Sequence, residues 1–170
     1  PGDEPEILLR RLYEMGREPV AIVNTHGHLD HVVGNAAVRA RFEVPIWMHP
    51  DDGFLIDAFP EQAAMFGLDF PPPPPPDHEL ADGVPFRFGA TELAVRLAPG
   101  HSPGSVVLVK GDQAISGDVI FAGSIGRFDL PRGDLPTLLR SIDEVILPLG
   151  DDTVLHPGHG PSTTVGRERR

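Results

Sequence analysis

Residues 25–34 read THGHLDHVVG and follow directly on the apolar run VAIVN. The β-branched content of residues 20–25 predicts a buried strand, so three histidines and one aspartate are concentrated where that strand ends. Histidine gives such a strand neither apolar burial nor good turn chemistry. A bound metal would explain the cluster, because imidazole nitrogen and carboxylate oxygen are both metal ligands. The fold must therefore carry a polar site where this strand passes into a helix.

The spacing within the cluster favours metal ligands over loop residues. His26 and His28 lie two positions apart, so in an extended chain they face the same side, with the small Gly27 between them. Asp30 and His31 lie where the chain turns into a predicted helix and could serve a second ion. In the alternative interpretation Asp30 caps that helix and the histidines are loop residues. This alternative accounts for Asp30 but leaves three histidines unexplained.

Three further stretches carry potential ligands where predicted strands end. They read APGHSPGS, AISGDVIF and LHPGHGP, and they contain His101, Asp118 and His159. Each of these histidines alone would be interpreted as a loop residue, but the three stretches together complete a set. Five histidines and two aspartates offer three ligands to each of two ions and one bridging carboxylate, and such donors suit zinc, iron or manganese. No role is assigned to the remaining histidines, His49, His78 and His156.

Length and composition indicate one compact domain over residues 1–170, since 40% of the 170 residues are hydrophobic. No apolar run reaches the roughly 18–20 residues that span a bilayer, and the opening PGDEPE has neither a basic start nor an apolar signal core. We therefore expect no membrane partner and a cytoplasmic location. The absence of cysteine excludes disulfides, thiolate zinc sites and a cysteine nucleophile from this chain.

The charge balance argues against nucleic acid as a partner. The chain has 25 acidic and 14 basic side chains, a net charge of −11, and such a surface repels phosphate backbones. We expect a small-molecule substrate instead, and the sequence leaves the oligomeric state open.

Helix-like and strand-like patterns alternate along the chain, which indicates an α/β layered domain. Helical spacing covers 4–16, 31–42, part of 50–67 and 134–149, and strand-like runs cover 20–25, 45–49 and 152–160. From residue 84 onward the runs VPFRF, TELAVRLA, SVVLVKG and QAISGD, separated by turn residues, predict an antiparallel sheet. Six consecutive prolines at 71–76 predict an extended segment, favoured as a stiff surface spacer over a ligand for a proline-binding domain.

The ordered pattern HxHxDH at 26–31, then His101, Asp118 and His159, resembles the metallo-β-lactamase superfamily of hydrolases over about residues 20–165. The stretches SGDVIFAGSIGRFDLPRGD (116–134) and HPGHGPSTT (156–164) are similar to the short glyoxalase II-like members, which act on glutathione thioesters. The resemblance implies an αββα sandwich. It also implies one metal bound by His26, His28 and His101, a second bound by Asp30, His31 and His159, and Asp118 as the bridge.

The chain departs from this family at both ends. Members usually begin with two or three strands before the PG that opens this chain, so the first strands of the sandwich are expected to be missing. Full-length glyoxalase II also carries a C-terminal region whose basic and tyrosine residues hold glutathione. This chain stops at Arg170 and its only tyrosine is Tyr13. The metal set therefore predicts hydrolysis more firmly than it predicts the substrate.

The predicted reaction is thioester hydrolysis by two divalent ions, of which zinc is favoured. Ions about 3.5–4 Å apart hold a bridging water whose pKa falls from about 15.7 to about 7, so the bridging hydroxide can attack a carbonyl. Asp30 would orient the hydroxide, and Asp118 would bridge the ions. A thiolate, of parent pKa about 8.5, leaves without an acid, whereas an amine must be protonated. A glutathione thioester such as S-lactoylglutathione is therefore favoured over a lactam.

Two arginines in GRFDLPRGD, Arg127 and Arg132, are candidates for binding a substrate carboxylate, because the guanidinium group can meet both oxygens. Alternatively, Arg127 pairs with Asp129 or Asp134 and stiffens the loop. Two other functions compete with hydrolysis. One is a glutathione persulfide dioxygenase with a single iron, and the other is a metal-binding but inactive truncated fragment. Retention of His159 favours hydrolysis over the dioxygenase.

Overall fold

A computed structural model describes residues 1–2 and 4–169 of the chain. It divides into two compact units, Pro1–Glu79 and Leu80–Arg170, which are described in turn. Both units combine helices with strands, so the predicted α/β class is confirmed. The organisation as one domain stays a prediction. Among the described residues, no helix has both the length and the apolar character needed to cross a membrane.

The first unit is built on a three-stranded parallel sheet in the order β1-β2-β3. Its strands are short: β1 Ile22–Val23, β2 Ile46–Met48 and β3 His78–Glu79. The helices are α1 Pro5–Glu14, α2 Leu29–Val32, α3 Asn35–Phe42, α4 Gly53–Asp57 and α5 Phe59–Met65, with a 3-10 turn at Pro50–Asp52. The proline run 71–76 forms neither helix nor strand, as predicted, and leads into β3.

The predicted helix 31–42 is divided into α2 and α3 by a break at Gly34. The Gly34 N–H donates to the Pro1 carbonyl at 3.0 Å, and a Cβ on Gly34 would overlap the Gly2 carbonyl oxygen. Only glycine permits this close approach of two backbone segments. The helix also begins earlier than predicted, with His28 as its N-cap. Asp30 therefore lies in the first turn of α2 and does not cap it.

Two apolar clusters stabilise the part of the first unit that the structure describes. One joins β1 and β2 to α3 and consists of Ile22, Val38, Val44 and Ile46, and the other consists of Leu29, Val32, Phe59 and Ala63. The second cluster includes both buried residues of α2 and packs them against α5. The short helix that carries Asp30 and His31 is thereby fixed by its apolar face.

The second unit contains a six-stranded sheet in the order β11-β10-β7-β6-β5-β4. Its strands are β4 Phe86–Phe88, β5 Thr91–Leu97, β6 Val106–Lys110, β7 Gln113–Gly117, β10 Val154–Pro157 and β11 Thr163–Thr164. The predicted antiparallel order of β4 to β7 is confirmed, whereas β10 pairs with β7 in parallel. A separate hairpin is formed by β8 Ile120–Phe121 and β9 Ser124–Ile125.

The helical region predicted over 134–149 packs on this sheet and is less regular than predicted. It begins as α6 Leu135–Ser141, with Asp134 accepting from the Thr137 N–H at 2.9 Å as an N-cap. It continues as a π turn, Ile142–Ile146, and a 3-10 turn, Leu147–Leu149. Pro148 lacks an N–H and so cannot continue the α-helical hydrogen bonds. A last short helix, α7 Val165–Glu168, follows β11.

The turn before His101 is locked against α6. Gly100 has φ +128°, and a Cβ there would overlap the backbone of Leu138. The Gly100 carbonyl accepts from the Asp134 N–H at 2.8 Å, and Ser141 Oγ donates to the Pro99 carbonyl at 2.7 Å. Bonds at both ends of α6 thus fix the position from which His101 extends.

Gly100→Ala should destabilise the protein by roughly 3 kcal/mol, because the new methyl group meets helix backbone and the residue is strained at positive φ. Gly111→Ala is the matched control. Gly111 has φ +58° but nothing within 4 Å of its Cβ position, so only backbone strain of about 1 kcal/mol is expected. Denaturant unfolding of the two variants measures the difference, and equal midpoints would contradict the packing argument.

Candidate metal centre

The first group of predicted ligands follows the end of β1. The pairing of β1 with β2 continues through a hydrogen bond from the Asn24 N–H to the Trp47 carbonyl at 2.9 Å, and the chain then leaves the sheet. His26 and His28 lie in this loop and are buried. Their rings meet edge to face with centroids 5.0 Å apart. Metal coordination would explain two buried imidazoles in such proximity.

All four predicted ligands of this segment lie close together. A ring nitrogen of His26 lies within 4.8 Å of one on His28 and of one on His31. His31 Nε2 is 3.4 Å from Asp30 Oδ2, and the side chains of His31 and Asp30 are 15% and 53% exposed. The cluster therefore has buried imidazoles, those of His26 and His28, at one end and the exposed carboxylate of Asp30 at the other.

The second group of predicted ligands is centred on one carboxylate oxygen. Asp118 Oδ2 lies 3.6 Å from His101 Nε2 and 3.4 Å from His159 Nε2. Both separations exceed the roughly 2.7–2.9 Å of a direct charged hydrogen bond. Two ligands of a tetrahedral ion, each bound at about 2.0–2.1 Å, are separated by about 3.3 Å. The spacing therefore fits donors that share an ion, and the shared oxygen suits a bridging carboxylate.

His101 is oriented by a backbone carbonyl. Its Nδ1 lies 2.8 Å from the Arg127 carbonyl oxygen. Since a carbonyl only accepts, Nδ1 carries the proton and the lone pair of Nε2 faces Asp118. This is how ligating histidines are usually held in metal sites. Gly126 makes the approach possible, because a Cβ there would overlap the Asp118 carbonyl oxygen and lie 3.3 Å from His101 Nδ1.

His159 is presented by a loop that leaves β10 at an irregularity. The pairing of β10 with β7 changes register between His156 and Pro157, and such bulges re-aim side chains at the ends of strands. The Gly158 N–H donates to the Gly117 carbonyl at 3.0 Å, which ties the loop to the residue before Asp118. The ring of His159 also meets that of Phe121 edge-on, with centroids 6.2 Å apart.

Two residues that position the first group were not found by sequence analysis. Asp52 is fully buried, and its Oδ2 accepts from the N–H of Gly27, between His26 and His28, at 2.9 Å. Asn24 Nδ2 donates to the His31 carbonyl at 3.0 Å. A signal for Asp52 was available, because parallel strands end at one edge and HPDD follows β2 as THGHLDH follows β1.

The structure favours the alternative interpretation of Arg127. Its guanidinium donates to both carboxylate oxygens of Asp129, at 2.8 and 3.0 Å, on an exposed surface. The hydrogen bonds from Arg127 hold the pKa of the Asp129 carboxyl below its usual value. Arg132 is exposed and has φ +65°. Substrate binding by either arginine stays a prediction.

The three histidines without an assigned role have separate surroundings. Buried His49 accepts from the Asp51 N–H at 3.3 Å, and His78 stacks on Trp47 with centroids 4.4 Å apart. His156 lies between the polar side chains of Gln113 and Ser162. None of these contacts calls for a metal.

Histidines and aspartates that could hold a metal ion follow the ends of strands in α/β units, which defines a candidate metal-binding protein. The family model described as "Metallo-beta-lactamase superfamily" matches residues 1–159. The chain belongs to the metallo-beta-lactamase superfamily, and the predicted family and fold are confirmed.

Three relatives indicate the range of this family. Hydroxyacylglutathione hydrolase GloC of Haemophilus influenzae is 39% identical over 174 residues, which cover 100% of this chain and 82% of GloC. The crystal structure of TTHA1623 in a di-iron-bound form is 42% identical with a TM-score of 0.93, covering 100% of this chain and 84% of that one. The BLEG-1 B3 metallo-beta-lactamase is 38% identical with a TM-score of 0.92, covering 99% and 82%. This membership supports a metal-dependent hydrolase.

Asp52→Ala should destabilise the protein by about 1.5–3 kcal/mol, because the buried Gly27 N–H loses a charged acceptor. It should also weaken metal binding, since Gly27 spaces His26 and His28. Asp51→Ala is the control, because the side chain of Asp51 is 59% exposed. Denaturant unfolding and zinc competition with a chromophoric chelator measure the two effects. Indistinguishable variants would show that Asp52 does not position this segment.

Proposed function

We propose that the protein is a dinuclear metal-dependent hydrolase of thioesters, and that glutathione thioesters such as S-lactoylglutathione are its substrates. The observation that carries this proposal is the position of Asp118 Oδ2 between the Nε2 atoms of His101 and His159. One oxygen shared by two imidazoles is what a carboxylate bridging two ions requires. Likeness to a hydroxyacylglutathione hydrolase supports the thioester as substrate class.

Seven residues from both groups would hold the two ions. His26, His28 and His101 would bind the first ion, Asp30, His31 and His159 would bind the second, and Asp118 would join them. This assignment is supported by the donor chemistry and by the proximity of the ligands within each group. Imidazole and carboxylate donors suit zinc, and they also suit iron or manganese. Likeness to a di-iron protein makes iron the main competitor of zinc.

When bound, two divalent ions supply an activated water near neutral pH and a Lewis acid for the substrate carbonyl. The chain's own residues would control where this chemistry occurs. Asp30, whose side chain is 53% exposed, is the carboxylate that could accept a proton from an entering water. His101 is oriented by the Arg127 carbonyl, and Asp118 Oδ2 lies 3.6 Å from its Nε2.

Charge and leaving-group chemistry favour an anionic thioester. Two divalent ions offset by Asp30 and Asp118 leave a local charge of about +2, in a chain whose net charge is −11. A thiolate of parent pKa about 8.5 can leave without a proton donor, whereas an amine must be protonated first. Thioester hydrolysis therefore needs no proton donor for the leaving group from these residues, whereas lactam hydrolysis does.

With zinc or manganese bound, the protein should hydrolyse S-lactoylglutathione with a higher kcat/KM than a chromogenic cephalosporin. It should consume no oxygen with glutathione persulfide. His159→Ala should lower thioesterase kcat/KM by at least about 100-fold through loss of a ligand, while His78→Ala, on an exposed ring stacked on Trp47, should retain activity.

The competing functions give different results in the same assays. Oxygen uptake by protein holding one iron would assign the dioxygenase, and faster cephalosporin hydrolysis would assign a lactamase. A folded protein with two bound metals that leaves every thioester intact would overturn the proposal.

Removing metal should lower the melting temperature. At free zinc 100-fold above Kd, each ion stabilises the folded state by about 2.7 kcal/mol, which corresponds to roughly 5–10 °C for a chain of this size. Asp118→Ala should lose more of this stabilisation than His78→Ala, because Asp118 would contact both ions. Calorimetry with and without a chelator, combined with metal analysis, makes the measurement. Equal metal content and equal melting in the two variants would exclude the bridge.

A further inference from the structure

His156 uses both nitrogens of its ring in hydrogen bonds. Nε2 lies 2.7 Å from Gln113 Oε1, and Nδ1 lies 3.0 Å from Ser162 Oγ. Because an amide oxygen only accepts, Nε2 carries the proton in the neutral ring. Nδ1 then accepts from the Ser162 hydroxyl. The result is a chain of three side chains that begins on β7 and ends beyond the loop after β10.

This chain closes the loop that carries His159. The last backbone pairs between β10 and β11 are Val154 with Thr164 and Leu155 with Thr163. His156 and Ser162 are the next pair in the same register, and here side chains replace the backbone ladder. The hydrogen bond between His156 and Ser162 therefore closes the base of residues 157–161, one residue beyond the last backbone pair of β10 and β11.

Two other roles for His156 agree less well with its contacts. Serine beside histidine can act as a nucleophile, and in the Ser-His-Asp triad a carboxylate stabilises the protonated ring. Gln113 is a neutral amide and supplies no such charge. A role as a metal ligand would require a ring nitrogen that is not already bonded to a neighbouring side chain. The contacts of His156 instead suit a structural bond across the loop.

We propose that His156 is a positioning residue, which with Ser162 and Gln113 fixes the loop 157–161 and holds His159 Nε2 at 3.4 Å from Asp118 Oδ2. The proposal rests on the proposed function, because it takes His159 to be a ligand of the second ion. Removing the bond should leave the ligands of the first ion in place and allow His159 to sample more positions. The affinity for the second ion should fall selectively.

The test is a zinc titration of the full chain against a chromophoric chelator, resolving two Kd values. His156→Ala and Ser162→Ala should each raise the second Kd by on the order of 10-fold and leave the first unchanged. Ser162→Thr keeps the hydroxyl and should therefore retain the second Kd of the wild type. In His156→Asn the amide can replace Nδ1 but does not reach Gln113. This variant should raise the second Kd less than His156→Gln does. Ser124→Ala, an exposed serine in the β8–β9 hairpin, is the control.

A double variant separates positioning from general destabilisation. If His156 acts through Ser162, adding His156→Ala to Ser162→Ala should change the second Kd little further. Thioesterase activity of the single variants should also recover in excess zinc, because more metal refills a weakened site. Equal loss of both affinities, or no loss of either, would overturn the proposal, as would a wild-type chain that binds only one ion.

The titration contains no thioester, so it decides the role of His156 independently of the substrate. A chain that binds two ions and hydrolyses no thioester would refute the proposed function while the ratio of the two Kd values still tests the positioning role. If His156→Ala does not fold, Ser162→Ala, at an exposed position, decides the question alone.

Discussion

The carboxylate of Asp118 is the group around which the second unit is arranged. It is 7% exposed, and an anion so far removed from water is costly unless opposite charge accompanies it. The Nε2 atoms of His101 and His159 lie 3.6 and 3.4 Å from its Oδ2, distances that suit a shared cation better than direct hydrogen bonds. Gly126 allows the chain that carries the Arg127 carbonyl to pass close to Asp118, and that carbonyl orients His101. The register change after His156 positions His159. Both features place an imidazole nitrogen near this carboxylate.

In the first unit, the candidate ligands are positioned by a different kind of contact. Its candidate ligands come from one short segment, so the backbone of that segment must be held at several points. Asp52 holds Gly27, Asn24 holds the carbonyl of His31, and the apolar face of α2 packs against α5. Orientation through outer contacts of this kind accounts for much of the affinity of metal sites.

The parts of this arrangement that sequence analysis predicted are those with local signatures. The spacing HxHxDH and the antiparallel run from β4 to β7 each depend on neighbouring residues. The missed parts depend on contacts that only the folded chain creates. Gly34 divides α2 from α3 because Pro1 and Gly2 pass beside it, and Asp52 reaches Gly27 from 25 positions away. No periodicity in either segment reveals those contacts.

Arg127 contributes to this part of the structure through two separate groups. Its backbone carbonyl orients His101, whereas its side chain lies on the surface in a pair with Asp129. The orienting bond needs only the backbone of residue 127, so other side chains at that position leave it intact. Because a backbone carbonyl orients His101, the exposed side chain of residue 127 can vary without moving that histidine. The orientation of His101 and the surface beside it therefore depend on different atoms of residue 127, so one fold can present different surfaces next to the same histidine.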